Sequence, residues 1–342
     1  MTKIDRCKTD ALFDKLYREV RRRTVFPDVA DCTMQKFVAL WRLVPWKANA
    51  ARFRFLGCSK GLAMTICLSN AAAKSDLDAS TVCGWYRHLR HEEIRAMAAI
   101  QRLLFPPVPV VAGFDVAASC KAAHGCGGDY YNVAELSVGQ LGLFIADVSG
   151  VGVLTTVLVA TIATIVERDR KRWAKPKSLL HHLNQLLCSI KLPDGTFVTA
   201  FCAVIEAKSG RFTHACAGHP HPRIRSARSG VILTLQDASA LPLGIEYDGA
   251  YTQREMTVQP DDLLLLYTDG ITEARSQSQE FFAVDRLDEV LGALPQSSSA
   301  GSAVKQLCDA VAQFSPPGVP RDDQTVVAAR FRSAAHLSGA AA

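Results

Sequence analysis

Two of the most apolar runs in the sequence each stop on an aspartate. Residues 143–146 lead into Asp147 in ADVSG, and residues 263–266 lead through Tyr267 and Thr268 into Asp269 in YTDG. Short apolar runs bounded by glycine and other turn residues predict buried strands. A carboxylate that ends such a strand lies close to the core, so both places need a chemical explanation.

The other patterns predict an α+β domain. Predicted strands cover 113–123, 125–136, 139–150, 230–235, 252–258, 262–269 and 324–331, with a hairpin over 196–218. Predicted helices cover 151–173, 176–190, 284–294 and 302–314. Runs of strands, then helices, then strands again, several joined as hairpins, favour layered α+β packing over a βαβ array.

Composition excludes several classes of protein. No window reaches the roughly 18–20 apolar residues of a spanning helix, and the longest candidate, 151–166, is interrupted by threonine and glycine. The start, MTKIDRCKTD, has no apolar core of a secretory signal, so we expect a cytoplasmic protein without a membrane segment. The 11 cysteines are odd in number and form no C-x-x-C pair, which favours free thiols over disulfides or a cysteine zinc site.

Positive charge is concentrated at the start of the chain. Residues 1–60 contain 14 Lys/Arg and 6 Asp/Glu, a balance of +8, so the remainder of the +6 chain carries −2. A basic segment can bind nucleic acid, but no helix-turn-helix spacing, paired Cys/His ligands or aromatic RNA-binding box accompanies it. We therefore expect a solvated basic face and keep nucleic-acid binding as a weak alternative.

Four divisions of the chain are expected. Residues 1–85 form a basic, mainly helical segment of unknown role, and 86–111 form a linker helix (86–105) with a proline turn at Pro106 and Pro107. Residues 112–333 form the α+β domain, and 334–342 a disordered tail. The linker helix is amphipathic, and both packing on its own domain and pairing with a second chain remain open.

Aspartates recur at strand ends and in tight turns of the α+β domain. They are Asp129 in GGDYYN, Asp147, Asp269, and Asp322 with Asp323 in RDDQT. A single aspartate there is an ordinary turn residue, but several brought together would repel one another unless a cation compensates. Oxygen ligands without His or Cys indicate Mg²⁺ or Mn²⁺, and a main-chain carbonyl such as that of Val148 can join them.

Metal-assisted hydrolysis of a phosphomonoester is the chemistry that this residue set suits. Two such ions would polarise a phosphoryl oxygen and lower the pKa of a water for attack on phosphorus. The sequence contains no C-x-x-x-x-x-R loop, no G-x-S-x-G elbow and no phosphate-binding G-x-x-x-x-G-K-[ST] motif.

The order GGDYYN, ADVSGVG, FVTAFCAVI, AGHPHP, LPLGI, LLLLYTDGITEAR, DDQTVV resembles the metal-dependent serine/threonine phosphatases of the PPM superfamily, in the SpoIIE/RsbU-type branch. The resemblance covers about 90–333. It implies a four-layer α-β-β-α sandwich of two antiparallel sheets flanked by helices, with two Mn²⁺ or Mg²⁺ ions at one edge. It also implies a cytoplasmic phosphatase acting on a phosphorylated protein, commonly an anti-sigma-factor antagonist in a partner-switching pathway. The helix 86–105 matches the family's linker to an N-terminal sensor, which is often a dimerising element, so a homodimer through 86–105 is one of the two open alternatives.

The resemblance also assigns site residues. It implies that Asp147 bridges both metals, that the Val148 carbonyl binds one, and that Asp269 and Asp322 are further direct ligands. Asp129 matches the acidic residue that often acts through water. No side chain serves as the nucleophile.

Three further positions are expected beside the ligands: Asp323, Gly270 and Asn132. The family usually has aspartate where this chain has Asn132, and a polar residue where it has Val151. The chain departs from the pattern at these two places, and we expect an altered rate or substrate choice with the metal ligands retained.

Two weaker site predictions remain. His214, His219 and His221 could be imagined as a zinc site, although AGHPHP matches a structural loop of the family. Lys121 precedes the first motif and could meet the substrate phosphate, with a solvated lysine as the plainer interpretation. The alternative to an enzyme is a pseudophosphatase that acts as a regulatory binding module, and retention of the carboxylates favours catalysis.

Overall fold

A computed structural model describes residues 98–99, 101–123, 125–150, 152–190, 192–193, 195–318 and 320–332. These residues all belong to one of the two compact units into which the chain divides. The predictions for 1–85, for most of the linker helix and for the tail 334–342 lie outside the described residues.

The first sheet has five strands, all paired antiparallel. In spatial order they are β1 (Phe114–Lys121), β11 (Gln324–Phe331), β10 (Leu263–Tyr267), β6 (Arg223–Arg225) and β7 (Ile232–Thr234). The apolar run 263–266 lies in β10, between two neighbours, and every residue of β10 is buried. The prediction of a buried strand here is confirmed.

The second sheet has six strands, five of them on its main path. In spatial order these are β2 (Asp129–Ser137), β3 (Gln140–Val148), β4 (Val198–Glu206), β5 (Arg211–Ala217) and β8 (Ser239–Ala240), with β9 (Arg254–Thr257) also paired to β5. The other buried run, 141–146, lies in β3 between β2 and β4. The short β5–β8 pair is parallel, unlike the fully antiparallel sheet expected, because the chain reaches β8 from the other sheet and not through a hairpin.

Helices cover the outer face of each sheet. They are α1 (Val153–Arg168), α2 (Arg170–Trp173), α3 (Pro176–Ser189), α4 (Asp269–Thr272), α5 (Ala283–Ala293) and α6 (Ala300–Phe314). The first three share an apolar core with the second sheet, the last three share one with the first sheet, and a third core lies between the sheets. The predicted four-layer sandwich is confirmed.

The region expected to be one helix over 151–173 is two helices. Asp169 interrupts it, and its carboxylate accepts a hydrogen bond from the Arg172 amide at 3.2 Å, which caps α2. An aspartate favours such a cap over a helix interior because its side chain competes for backbone amides. Within the described ranges no helix has both the length and the apolar character needed to cross a bilayer.

Candidate metal centre

The aspartates at the strand ends lie at one end of the sandwich. Asp129, the first residue of β2, pairs directly with Asp147 near the end of β3. In the other sheet Asp269 follows the end of β10, and Asp322 precedes the start of β11. Because β10 and β11 are antiparallel neighbours, the end of one strand lies beside the start of the other.

Asp129 connects the two sheets at this end. Its Oδ2 atom accepts hydrogen bonds from Thr268 Oγ1 at 2.8 Å and from Thr325 Oγ1 at 2.6 Å, and both threonines belong to the first sheet's side. The Thr325 amide in turn donates to Thr268 Oγ1 at 3.0 Å. Asp129 and the threonines are almost completely buried, so these bonds fix the carboxylate's orientation. The Oδ1 atom of Asp129 takes no part in the two threonine bonds.

The carboxyl groups raise each other's pKa. Burial, and then the charge of Asp147, raises the pKa of Asp129 well above its usual value. Burial, and then the charges of Asp269 and Asp322, raises the pKa of Asp147 to about 7. The pKa of Asp269 is also raised, by burial and then by Asp322. Ionisation of each of these groups is therefore unfavourable beside the others. A cation bound among them would stabilise their ionised forms.

Asp322 and Asp323 are adjacent but differ in their contacts. Asp323 is 8% exposed, and its two oxygens accept the amides of Ala123 at 2.7 Å and Gly128 at 2.6 Å. Asp322 is exposed, and its Oδ1 accepts only the neighbouring Asp323 amide, at 2.8 Å. Both oxygens of Asp323 thus anchor the loop before β2, which fits a supporting role. The Oδ2 atom of Asp322 takes no part in its bond to the Asp323 amide and could contact a cation.

Close backbone approach at this edge requires glycine at three positions. A Cβ on Gly127 would lie 2.0 Å from Asp323 Oδ2, one on Gly128 would lie 2.4 Å from the Val148 carbonyl oxygen, and one on Gly270 would lie 1.9 Å from the Asp323 carbonyl oxygen. Real side chains do not reach such separations. The glycines therefore let the two sheets and the loop before β2 meet around the carboxylates.

The donor set fits a hard divalent cation. It consists of carboxylate oxygens from Asp129, Asp147, Asp269 and Asp322, with the Val148 carbonyl at the end of β3. Oxygen donors of this kind select Mg²⁺ or Mn²⁺ over zinc. Among the described residues no three His, Cys, Asp or Glu side chains are already gathered tightly around one point. We infer the fit from the donor chemistry and the shared pKa shifts.

Two of the three histidines considered as a zinc site have other contacts. His214 is buried and stacks between Phe201 and Phe212, with ring centroids 5.7 and 5.2 Å apart. The Nδ1 atom of His219 lies 2.9 Å from Thr199 Oγ1, and Thr199 pairs with Asp147 across β3 and β4. These contacts are those of packed core side chains.

Two other predicted site residues have different surroundings. The amide of Asn132 donates to Tyr130 Oη at 2.9 Å and to Glu167 Oε2 at 3.2 Å, on the side of the sheet that carries α1. Its predicted place beside the ligands therefore has no contact to support it. Lys121 is exposed at the end of β1, opposite Gln324, so it lies at the correct edge, and its role toward phosphate stays a prediction.

Sequence reasoning missed the residues that hold the carboxylates in place. Thr268 and Thr325 are fully buried, and both donate hydrogen bonds to Asp129. The available signal was weak: each threonine stands within two residues of a chosen aspartate, in YTD and DDQT. Only the meeting of the two sheets shows that both hydroxyls face Asp129.

Comparison with known proteins identifies relatives of this domain. The family described as stage II sporulation protein E (SpoIIE) matches residues 137–332. The phosphoserine phosphatase RsbU of Bacillus subtilis (strain 168) is 27% identical over 198 residues, which are 58% of this chain and 58% of RsbU. The phosphoserine phosphatase RsbP of the same organism is 26% identical over 149 residues, 43% of this chain and 36% of RsbP. The matches thus span only part of these relatives.

Solved structures share the fold. The SiaA-PP2C domain of Pseudomonas aeruginosa superposes with a TM-score of 0.60 at 19% identity and covers 72% of this chain and 98% of that one. RsbX in complex with magnesium superposes with a TM-score of 0.50 at 17% identity, covering 66% and 98%. At these identities the likeness establishes the architecture and not the residue roles.

Proposed function

The chain belongs to the SpoIIE family, and we propose on that basis that it is a metal-dependent protein phosphatase acting on phosphoserine or phosphothreonine. The observation that carries the proposal is that Asp129, Asp147, Asp269 and Asp322, two from each sheet side, lie at one end of the sandwich, with the pKa of Asp147 raised to about 7 by burial and its acidic neighbours. A strand-end cluster of this kind is costly without a cation. The names of the relatives RsbU and RsbP, both phosphoserine phosphatases, support the reaction class.

Each residue of the cluster has a distinct part in the proposal. Asp147 would contact two cations, with the Val148 carbonyl, Asp269 and Asp322 completing their protein ligands. Asp129 would act through water, because its Oδ2 is already bonded by two threonines. Mn²⁺ or Mg²⁺ held there would supply Lewis-acid polarisation of the phosphoryl oxygens and a lowered pKa for an attacking water. The magnesium complex of RsbX, which has the same fold, supports this choice of ion.

The chain's own residues set the conditions for that chemistry. Cation binding must displace the proton that a raised pKa keeps on Asp147, so affinity for the metal falls as the pH drops below about 7. Thr268 and Thr325 fix the carboxylate of Asp129 before any ion arrives. Pre-organisation by such outer contacts typically matters tenfold or more for metal affinity.

The substrate is proposed more specifically as a phosphorylated anti-sigma-factor antagonist in a partner-switching pathway. The relative RsbU, and a solved Mycobacterium tuberculosis protein with RsbU and RsbW domains whose TM-score is 0.53, support regulatory proteins of this class as partners. A cytoplasmic location, a homodimer through 86–105 and domain boundaries near 85, 111 and 333 belong to the same proposal.

A catalytically weak pseudophosphatase is the second candidate. It rests on the two departures from the family pattern, Asn132 and Val151, of which Val151 lies outside the described residues. The amide of Asn132 donates to Tyr130 and Glu167 and not to the strand-end aspartates, so its difference from aspartate does not remove a ligand. Retention of the acidic set favours the enzyme.

Hydrolysis of p-nitrophenyl phosphate tests the proposal. The purified full chain is assayed with Mn²⁺, with Mg²⁺ and with excess chelator, and the same conditions are then applied to a phosphoserine peptide. We expect turnover with metal and none with chelator. Turnover that persists in chelator contradicts the metal mechanism, and a folded protein that is silent with every metal favours the pseudophosphatase.

A further inference from the structure

The loop that leads into Asp129 has little means of fixing its own position. Gly125, Gly127 and Gly128 supply three of its residues, and Gly125 has a positive φ of 87°. Glycine-rich backbone has the largest conformational freedom to lose on folding. The location of Asp129 therefore depends on contacts made from outside the loop.

One outside contact comes from Gln101, in the helical turn 101–104. Its Nε2 donates to the Gly127 carbonyl oxygen at 2.8 Å, and its Oε1 accepts from the Gly127 amide at 2.9 Å. The side-chain amide thus pairs with both polar groups of one residue, as a neighbouring strand would. Gln101 is 5% exposed, so neither bond competes with bulk water.

The same turn also contacts the residues after Asp129. The ring of Phe105 lies 5.7 Å from that of Tyr130 and 5.3 Å from that of Tyr131, centroid to centroid. Asp323, which precedes β11, accepts a hydrogen bond from the Gly128 amide at 2.6 Å. The stretch 127–131, with Asp129 at its centre, is therefore contacted by Gln101, Phe105 and Asp323.

We propose that Gln101 is a positioning residue for Asp129, fixing the Gly127 backbone so that the carboxylate stands where divalent-cation binding requires it. Gln101 does not touch the ion or the substrate; it acts through two main-chain bonds on the residue two places before the carboxylate. This inference rests on the proposed function, because it concerns the metal that function needs. It also places this turn, which belongs to the expected linker 86–111, in contact with the loop that leads to the candidate metal centre.

The test compares Gln101→Met with a matched variant at the far end of the fold. Methionine keeps the volume of the side chain but leaves the Gly127 amide and carbonyl without their partner. Asp262 is the control, since it is 7% exposed and bonds the amides of Ala227 at 2.9 Å and Gln259 at 2.8 Å, before the start of β10. In Asp262→Ala a buried side-chain clamp on two backbone amides is likewise lost, away from the carboxylates.

Two readouts on the full chain are measured: the Mn²⁺ dissociation constant by calorimetry, and amide hydrogen exchange over 125–131 in chelator. In Gln101→Met we expect exchange there to quicken at least tenfold and Mn²⁺ affinity to fall about tenfold or more. In Asp262→Ala we expect a lowered melting temperature with both readouts within twofold of the unsubstituted chain. Phe105→Leu serves as a milder second variant, with an expected loss of affinity of about threefold.

Unchanged Mn²⁺ affinity in a folded Gln101→Met chain overturns the positioning role, whether or not exchange quickens. An equal loss of affinity in Asp262→Ala also overturns it, because general destabilisation then explains both results. Failure of the proposed function looks different: the unsubstituted chain itself would bind neither Mn²⁺ nor Mg²⁺, and both proposals would fall together.

Discussion

The two ends of the first sheet differ in how their charged side chains are paired. At the end where β11 finishes, Arg330 Nη2 lies 3.1 Å from Asp261 Oδ1, and Arg332 Nη2 lies 3.1 Å from Asp115 Oδ2. A further contact of 3.4 Å joins Arg332 Nη1 to Asp261 Oδ1. Positive and negative groups alternate there, and all of them carry partners.

At the other end the same sheet and its neighbour bring several acidic groups together. Across the described ranges none of Asp129, Asp147, Asp269, Asp322 and Asp323 forms an ion pair with Lys or Arg. The pKa of Asp147 reaches about 7 because burial and its acidic neighbours oppose its ionisation. Paired charge at one end serves the fold, whereas like charge gathered at the other serves the proposed chemistry at a cost to stability.

The largest effect is expected for Asp147→Asn, at the acidic end of the sandwich. The amide cannot hold a cation as a carboxylate does, and we expect turnover of p-nitrophenyl phosphate to fall about a thousandfold or more. The free energy of unfolding without metal should stay equal or rise, because a partly buried carboxyl group with a raised pKa is removed. Asp115→Asn at the paired end is the control and should keep full turnover. Near-normal turnover in Asp147→Asn would contradict the assignment.

Gly270→Ala tests how tightly the acidic end is built. The new Cβ would lie 1.9 Å from the Asp323 carbonyl oxygen, a backbone atom that cannot rotate away, so we expect about 3 kcal/mol lost from the free energy of unfolding. Gly292→Ala in α5, where the nearest atom is 4.0 Å away, should instead be neutral or stabilising by up to about 1 kcal/mol. Urea denaturation measures both, and equal effects at the two glycines would count against the close approach.

Adding metal should offset the repulsion among the carboxylates at the acidic end and so stabilise the folded protein. An ion present at 100 times its dissociation constant stabilises a folded protein by about 2.7 kcal/mol, and the melting temperature should rise by several degrees. Chelator should reverse the rise. The Asp147→Asn chain is the matched control and should show little or no shift; a shift as large as that of the unsubstituted chain would place the ion elsewhere.

His214, a titrating group in β5, also makes the free energy of unfolding depend on pH in acid. Burial lowers the pKa of His214 to about 4, whereas the unfolded chain takes up its proton near pH 6.5. The folded state is therefore destabilised as the pH falls from 6.5 toward 4. His214→Phe keeps the stack on Phe201 and Phe212 without a titrating ring. Between pH 7.5 and pH 4.5 the free energy of unfolding should therefore fall by about 2 kcal/mol less in His214→Phe than in the unsubstituted chain.

Urea denaturation at the two pH values measures that difference. A His214→Phe chain with an unchanged loss of stability in acid would show that other groups, including the strand-end carboxyls, account for the whole pH dependence.

The smallest effect is expected at the paired end. Arg332 and Asp115 each remain about one-third exposed, so solvent screens their pair, and Arg332→Gln should lower the free energy of unfolding by less than about 1 kcal/mol. Turnover should not change, and 1 M salt should erase the difference in stability. A large loss of turnover would show that the two ends are coupled.

Much of the architecture could be predicted because it follows from local pattern. The runs that became β3 and β10 were found from their apolar character, and β11 was predicted with the bounds the structure gives. Two local features were missed: the break at Asp169 between α1 and α2, and the short helix α4 that begins on Asp269. Both depend on single residues at element ends, where periodicity carries little information.

The sequence by itself determined which residues could carry the chemistry, since aspartates that follow buried strands can be recognised without coordinates. It also determined the layered class of fold, because strand and helix periods are properties of neighbouring residues. The tertiary structure alone decided how those aspartates are divided: Asp323 anchors a loop while the adjacent Asp322 stays exposed. It alone brought Gln101 and Thr325 to the segment around Asp129, 26 and 196 positions along the chain from their partners. The Thr325 contact forms only when the two sheets pack, and the Gln101 contact only when the turn packs on the loop before β2, so no local pattern encodes either.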